Sequence, residues 1–267
     1  MPSAITPIPF DPRRFQGAAQ HYHARPPYSP RLFRWLAEEC ALGPDDRVMD
    51  LGCGPGVIAI GMAPYVGTVV GVDPEPEMLR RARAATDAAG LDDKISFIEG
   101  SSNDLGPSFG SFTMVTMGRS FHWMDRVETL RRLETIMRPG GMIVLFNSSP
   151  LRSAWQREYR DVLARYTGDA QGEGRHWRGA NWVEHEEVLL DSAFSGLSRI
   201  EVIERNELPA EALVDRAFSM SRTAPNVLGP EKSAALAADL RALAARIAVD
   251  GVIGETLESG ALIARRP

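Results

Sequence analysis

Residues 48–56 constrain this chain more than any other stretch, because an apolar strand there runs into a glycine-rich turn. The strand part holds one polar residue, Asp50, and the turn has glycine at every second position: Gly52, Gly54 and Gly56. Glycine permits positive φ and lets a ligand approach the backbone closely. A helical pattern starts directly after the turn, so N–H groups of a helix N-terminus point into it. The stretch therefore predicts a nucleotide-type binding site.

The spacing of the glycines separates two kinds of site. A dinucleotide fingerprint requires Gly-x-Gly-x-x-Gly, whereas here the third glycine comes one residue early and Val57 stands in its place. The string Asp50-x-Gly52-x-Gly54-x-Gly56 resembles the first motif of the class I S-adenosylmethionine-dependent methyltransferases. That resemblance implies that these residues and the spacer Cys53 hold S-adenosylmethionine. Taken alone, the string also fits an ordinary strand-to-helix loop.

Composition limits the class of protein and its partners. A chain of 267 residues with 44% hydrophobic content fits one large α/β domain, or one domain with an insertion, which we favour. A net charge of −5 argues against a nucleic-acid partner. Two cysteines, Cys40 and Cys53, are too few for a disulfide framework. With no apolar run near the ~18 residues of a membrane span, we expect a soluble cytoplasmic protein without a membrane partner.

A second apolar strand, residues 67–73, ends in Asp73, 23 residues after Asp50. In a doubly wound sheet an acid at this place can accept hydrogen bonds from the ribose hydroxyls of a nucleotide. The alternative is a helix N-cap, because Pro74 and Glu75 open the next helical pattern.

A third strand, residues 95–99, precedes Gly100, Ser101 and Ser102. In the family that the chain resembles, a polar residue after this glycine binds the adenine amino group, and many members have aspartate there. This chain has Ser101, so the contact falls to Ser101, to Ser102 or to the backbone.

A fourth strand, residues 112–117, leads into Gly118 and Arg119 and then into Phe-His-Trp at residues 121–123. This ending resembles the fourth motif of a methyltransferase group that includes the trans-aconitate enzymes. Relatives often have a small residue and then glutamine where this chain has Gly118 and Arg119.

The resemblance implies roles for the residues around this motif. Met117 and Gly118 would contact the cofactor, and Trp123 the substrate. Arg119 departs from the family pattern, and for that reason we expect it to face an acidic substrate, with a solvent-exposed arginine as the alternative. His122 would be the catalytic residue, either as a base or only as a wall of the cofactor pocket.

The N-terminal string Tyr22-x-x-Arg25-Pro-Pro-Tyr28 resembles the lid of small-molecule methyltransferases of this class. It follows a proline-rich arm, and together they give a predicted lid over about residues 1–28. Tyr22, Arg25 and Tyr28 would contact the substrate. The alternative is a strap whose aromatic side chains, with Phe15, only pack on the domain.

The alternation of strands and helices stops at about residue 150, and residues 150–192 read as a helical insertion that could cover the site. His176 and His185 lie at no helix-spaced metal motif, so we expect no metal. Further on we predict a strand at 199–204, a helix at 234–249 and a last strand at 261–264. The resemblance implies that the final strand is antiparallel, in the order 3-2-1-4-5-7-6.

These patterns predict an α/β fold: a doubly wound, Rossmann-like, seven-stranded and mostly parallel sheet with helices on both faces, in a single domain over residues 1–267. The predicted function is methyl transfer from S-adenosylmethionine to a small organic acceptor, with a carboxylate favoured. Two alternatives stay open, a non-catalytic S-adenosylmethionine-binding module and a nicotinamide-dependent oxidoreductase. The early third glycine counts against the oxidoreductase.

Overall fold

The computed structural model describes residues 17–168 and 182–266. The predicted proline-rich arm, Phe15 and the middle of the predicted insertion, including His176, lie outside the described residues.

The described residues form one sheet of seven strands in the order β3-β2-β1-β4-β5-β7-β6. Strands β1 to β5 run parallel, and β7 is antiparallel to both β5 and β6. The predicted fold class and strand order are confirmed. The strands are β1 Arg47–Leu51, β2 Thr68–Asp73, β3 Ile95–Glu99, β4 Phe112–Gly118, β5 Met137–Pro150, β6 Gly196–Pro209 and β7 Val252–Arg265.

Two helix ends show caps that the sequence provides. Ser29 accepts the backbone N–H of Arg31 at 3.2 Å, just before Pro30 opens the first helix. Gly90, at a φ of 65°, ends the third. The helices are α1 Pro30–Glu39, α2 Val57–Met62, α3 Pro76–Ala89, α4 Arg126–Glu134, α5 Ala154–Thr167, α6 His185–Leu190, α7 Ala212–Phe218, α8 Pro225–Leu228 and α9 Pro230–Ile247.

Apolar side chains cover both faces of the sheet. On one face α1 and α2 bury residues such as Leu36 and Ile58, and on the other α4 and α6 bury residues such as Leu133 and Leu189. A third cluster joins α5, α7 and α9. The helices thus leave the carboxyl ends of β1, β2 and β4 to form one edge.

The C-terminal third of the chain differs most from the sequence expectation. Strands β6 and β7 pair over fourteen positions each, far beyond the apolar cores predicted at 199–204 and 261–264. Many side chains of β6 are exposed. The ends of this strand therefore lack the alternation of apolar and polar residues that would predict a strand from the sequence. Helices α7 and α8, inserted between these strands, were not predicted, because seven and four residues are too short to show a helical period.

Candidate active site

The glycine turn adopts a backbone that side chains disfavour. Gly52, Gly54 and Gly56 have φ values of 72°, 53° and 81°. The N–H groups of Gly52 and Cys53 both donate to the carbonyl of Val72, at 2.7 and 3.1 Å, which ties the turn to the end of β2. A Cβ atom on Gly52 would lie 2.6 Å from Cβ of Ser120. The turn therefore needs glycine for both its conformation and its packing.

Asp73 closes β2 and connects it to this turn. One carboxylate oxygen accepts the N–H of Gly54 at 2.8 Å, and the other accepts the N–H of Glu75 at 2.9 Å. Glu75, not Asp73, occupies the N-cap position of α3. Burial raises the pKa of Asp73, while the two backbone hydrogen bonds act in the opposite direction.

Asp50 lies at the end of β1 and is only 1% exposed. Its carboxylate accepts the hydroxyl of Thr116 at 3.0 Å and the N–H of Ala59, in α2, at 3.2 Å. Burial raises the pKa of Asp50 to about 7, against the effect of these two hydrogen bonds. A cation placed beside this carboxyl would favour its ionised form.

A small pocket opens between the glycine turn and the N-terminal segment. It includes six of the residues that the sequence predicted for the site, and Pro55, Val57 and Ile58 besides. Pro55 lies within the glycine motif and Val57 and Ile58 follow it directly, so their position next to the glycines could have identified them. The lining residues are Tyr22, Tyr28, Gly52, Cys53, Pro55, Val57, Ile58, Gly118 and Arg119.

Gly118 brings β4 close to the N-terminal segment. A Cβ atom at this position would lie 2.8 Å from the hydroxyl of Tyr28 and 2.2 Å from Cδ1 of Ile58. The ring of Tyr28 packs edge-on against Phe146, 5.7 Å between centroids. Burial raises the pKa of Tyr28 to about 12, so its hydroxyl is neutral near pH 7.

Arg119 is held among tyrosines. Its guanidinium lies 4.8 Å from the ring centre of Tyr28 and 5.7 Å from that of Tyr22, and donates to the carbonyl of Pro26 at 3.2 Å. The residue has a φ of 55°, which is uncommon outside glycine. Its Nε is buried and has no hydrogen-bond partner among the described residues. The structure thus places this cation beside the pocket.

Arg25 approaches the same aromatic ring. Its guanidinium lies 5.6 Å from the ring centre of Tyr22 and donates to the carbonyl of Ser219 at 2.9 Å. Burial lowers the pKa of Arg25, and the neighbouring charge of Arg119 lowers it further, although nearby tyrosines oppose both effects. Two cations therefore share one tyrosine beside the glycine turn.

Ser101 and Ser102 lie near the end of β3. The N–H and hydroxyl of Ser101 both donate to Asp104 at 2.8 Å, and Ser102 is buried. The N–H of Gly100 donates to the backbone carbonyl of Asp73 at 3.1 Å. The two serines thus directly follow Gly100, which is bonded to Asp73. They lie outside the pocket that Arg119 lines.

Three further predicted site residues, Met117, His122 and Trp123, also lie outside that pocket. Met117 is buried with Leu130 in the apolar layer of α4. The ring of His122 lies 4.5 Å from that of Trp123 and 6.4 Å from that of His185. The structure therefore groups His122 and Trp123 with α6.

Across residues 17–168 and 182–266, no group of three or more His, Cys, Asp or Glu side chains could hold a metal ion. Within the same ranges, no helix is long and apolar enough to cross a membrane.

The sheet order, the glycine turn and the acids that end β1 and β2 define a Rossmann-like protein of the methyltransferase type. A family model described as a methyltransferase domain matches residues 48–141. These findings support a class I S-adenosylmethionine-dependent methyltransferase, with S-adenosylmethionine as its cofactor. The cradle formed by the three positive-φ glycines fits such a ligand. Membership of the trans-aconitate group stays a prediction.

Similar proteins support this assignment. An uncharacterized methyltransferase of Mycobacterium tuberculosis is 29% identical over 198 residues, which cover 74% of this chain and 72% of that protein. The 27-O-demethylrifamycin SV methyltransferase of Amycolatopsis mediterranei is 33% identical over 43% of each chain. A methyltransferase of Geobacter sulfurreducens, solved with S-adenosyl-L-homocysteine, shares the fold with a TM-score of 0.55 at 18% identity, covering 98% of this chain and 99% of that one.

Proposed function

We propose that this methyltransferase acts on a small organic acceptor and transfers the methyl group to a carboxylate oxygen. The observation that carries the proposal is the pair Arg25 and Arg119, which both approach Tyr22 beside the glycine turn. Neither arginine forms an ion pair with a carboxylate of the described residues. Two partly buried cations without a counter-ion favour an anionic ligand.

The cofactor would lie across the carboxyl ends of β1, β2 and β4. We propose that Asp73 accepts hydrogen bonds from its ribose and that the buried Asp50 lies towards its positively charged end. Ser101 or Ser102 would contact the adenine, and Gly118 would allow close approach at the reacting end. The remaining proposed contacts are Gly52, Cys53, Gly54, Gly56 and Met117.

The reaction is an in-line displacement at the sulfonium methyl group, with the acceptor oxygen as nucleophile. Holding the two reactants in line is worth up to roughly 7–11 kcal/mol, whereas a general base contributes about 10²–10⁴-fold. A carboxylate has no proton to lose at neutral pH. This chain would therefore need its arginines for orientation and no proton acceptor.

His122 distinguishes a carboxylate acceptor from a hydroxyl acceptor. For a carboxylate, His122→Ala should leave turnover within about tenfold, less than the loss of a base. A drop beyond about 10²-fold with unchanged cofactor affinity would favour a hydroxyl or amine acceptor instead. The name of the Amycolatopsis relative, an O-demethylrifamycin methyltransferase, makes a hydroxyl acceptor the second candidate.

The acceptor class can be tested with labelled S-adenosylmethionine and small acids, phenols and amines, trans-aconitate among the acids. We expect acids to be methylated, and Arg119→Gln and Arg25→Gln to raise their KM by about tenfold or more, as expected for charge-assisted hydrogen bonds. Arg138→Gln, at an exposed arginine in the first residues of β5, is the control. No transfer to any compound, with cofactor still bound, would support a non-catalytic binding module.

We also propose how the rest of the chain serves this site. Residues 1–28 would form a lid, and residues 150–192 an insertion that covers the pocket within a single domain. The described part of the lid packs on α7, where Arg216 donates to the carbonyl of Ala24 at 3.0 Å. Trp123 would contact the acceptor from the α6 side. A small-molecule acceptor, not a nucleic acid, suits the acidic chain.

A further inference from the structure

Helix α5 carries two buried hydrogen-bond donors that the methyl-transfer site does not yet explain. Gln156 and Tyr159 are three residues apart, so they lie on one face of the helix, and each is less than a tenth exposed. Nε2 of Gln156 and the hydroxyl of Tyr159 have no hydrogen-bond partner within the described residues. The side-chain oxygen of Gln156 already accepts the N–H of Ser153 at 3.2 Å, which leaves its NH₂ group as the unpaired side.

Tyr159 lies beside Arg25. It packs in the apolar cluster that includes Ala217 and Phe218 of α7, and Arg25 donates to Ser219, directly after that helix. The two side chains are close enough that each affects the pKa of the other. Nε of Arg25 is also buried without a partner among the described residues. A donor of the N-terminal segment and a donor of α5 thus both lie near the end of α7.

The nearby carboxylate does not satisfy them. Glu255 is held by two hydrogen bonds from Arg216, at 2.6 and 3.0 Å, and by one from Asn206 at 2.7 Å. Burial raises the pKa of Tyr159 well above its usual range, so its hydroxyl stays a donor at neutral pH. A buried donor left without an acceptor destabilises a protein. A ligand oxygen would remove that cost.

We propose that Tyr159, with Gln156, binds a second oxygen of the acceptor molecule, a carboxylate or carbonyl oxygen apart from the one that is methylated. The inference rests on the proposed carboxylate function and narrows it to dicarboxylic or oxo acids. Tyr159 is a positioning residue here: it orients the acceptor through its far end. The unpaired nitrogens of Gln156 and Arg25 can only donate, which favours oxygen over an ammonium group at this place.

The test compares acids of equal length that have one or two carboxylates: succinate with butyrate, glutarate with valerate, and adipate with hexanoate. Tyr159→Phe removes one oxygen and keeps the ring, which packs against Trp155 at 6.4 Å. Tyr166→Phe, on the same helix, is the matched control, because its hydroxyl donates to Asp239 at 2.8 Å. KM and kcat are measured by methyl transfer, and S-adenosylhomocysteine affinity by calorimetry.

We expect Tyr159→Phe to raise KM for the methylated diacid by about tenfold, with kcat and S-adenosylhomocysteine affinity preserved. The melting temperature of the acceptor-free protein should be equal or higher, because the substitution removes an unpaired buried hydroxyl. KM for the paired monoacid should not change in Tyr159→Phe. In Tyr166→Phe, KM, kcat and S-adenosylhomocysteine affinity should all stay as in the wild-type protein. Diacid methylation with an unchanged KM in Tyr159→Phe would overturn this inference and leave the carboxylate function standing. A lower melting temperature in Tyr159→Phe than in Tyr166→Phe would show a merely structural hydroxyl and also overturn it. If wild-type protein methylates no acid, the carboxylate function itself fails.

Discussion

The carboxylate of Asp73 accepts the backbone N–H of Gly54 at 2.8 Å, so the acid that ends β2 is bonded to the middle of the glycine turn. Each carboxylate oxygen has two lone pairs. The oxygens of Asp73 can therefore keep their backbone hydrogen bonds and still accept from a ribose. The position of the acid and the shape of the turn depend on each other.

Replacing Asp73 should weaken cofactor binding. Asp73→Ala removes the proposed acceptor for the ribose, a loss of about 1.5–3 kcal/mol, or roughly 10- to 150-fold in the dissociation constant. Calorimetry with S-adenosylhomocysteine measures this. Asp87→Ala, at an exposed acid of α3, controls for charge alone. Unchanged affinity in Asp73→Ala would show that the ribose lies elsewhere.

Alanine substitutions at two glycines can distinguish the energetic cost of backbone strain from the cost of steric crowding. Gly52 and Gly90 have similar φ values, 72° and 65°, but a Cβ atom on Gly52 would meet Ser120 whereas one on Gly90 would meet nothing within 4 Å. We expect Gly90→Ala to destabilise the fold by about 1 kcal/mol through strain alone. Gly52→Ala should cost about 1–3 kcal/mol more through overpacking, and should abolish cofactor binding. If chemical denaturation shows the same loss of unfolding free energy for Gly52→Ala and Gly90→Ala, the predicted clash of a Cβ atom at position 52 with Ser120 is wrong.

Asp50 makes stability depend on pH in a direction that can be measured. Its pKa is raised from an ordinary value of 3.8 to about 7, so between these values the folded protein binds a proton that the unfolded chain has lost. Stability therefore falls as pH rises through this window and levels off above it. Relative to Asp50→Asn, wild-type protein should lose melting temperature between about pH 4 and pH 7. A difference that is constant across this range would disprove the raised pKa.

The N-terminal segment should close more firmly when the cofactor is bound. Tyr22 follows His21, whose ring bonds Asp215 of α7 at 2.8 Å. Chymotrypsin cleavage after Tyr22 should slow severalfold with S-adenosylhomocysteine and quicken in Asp215→Ala, since that contact is lost. The rate is followed by mass spectrometry of the released peptide. Equal cleavage with and without S-adenosylhomocysteine would rule out a lid closed by the cofactor.

Local sequence patterns were enough to predict the structure of the half of the chain that forms the cofactor site. The apolar runs that end at Leu51 and Asp73 became β1 and β2, because buried parallel strands are almost continuously apolar. The glycine spacing then indicated the methyltransferase class, since a positive φ at alternate positions is a local property of the backbone. Both features are read within a few residues of chain.

Other parts depend on contacts between distant residues. The sequence singled out Arg119 as a substrate contact or a solvent-exposed cation, and its place among Tyr22 and Tyr28 follows from how the N-terminal segment folds onto β4. Nothing in the sequence indicated that Tyr159 binds a ligand, because an aromatic residue on an amphipathic helix has the pattern of an ordinary core residue. Only the packing of α5 into one cluster with α7 and α9 leaves its hydroxyl buried without a partner among the described residues.

By itself, then, the sequence determined the parallel sheet, its strand order through a family resemblance, and the cofactor, since these depend on periodicity and on short motifs of Gly and Asp. The tertiary structure alone decided which cations meet at Tyr22, how far β6 and β7 extend, and where α7 holds the N-terminal segment. Those features join residues up to about two hundred positions apart, as in the contact of His21 with Asp215. Pairing over such distances is set by the packing of whole elements, which no local pattern records.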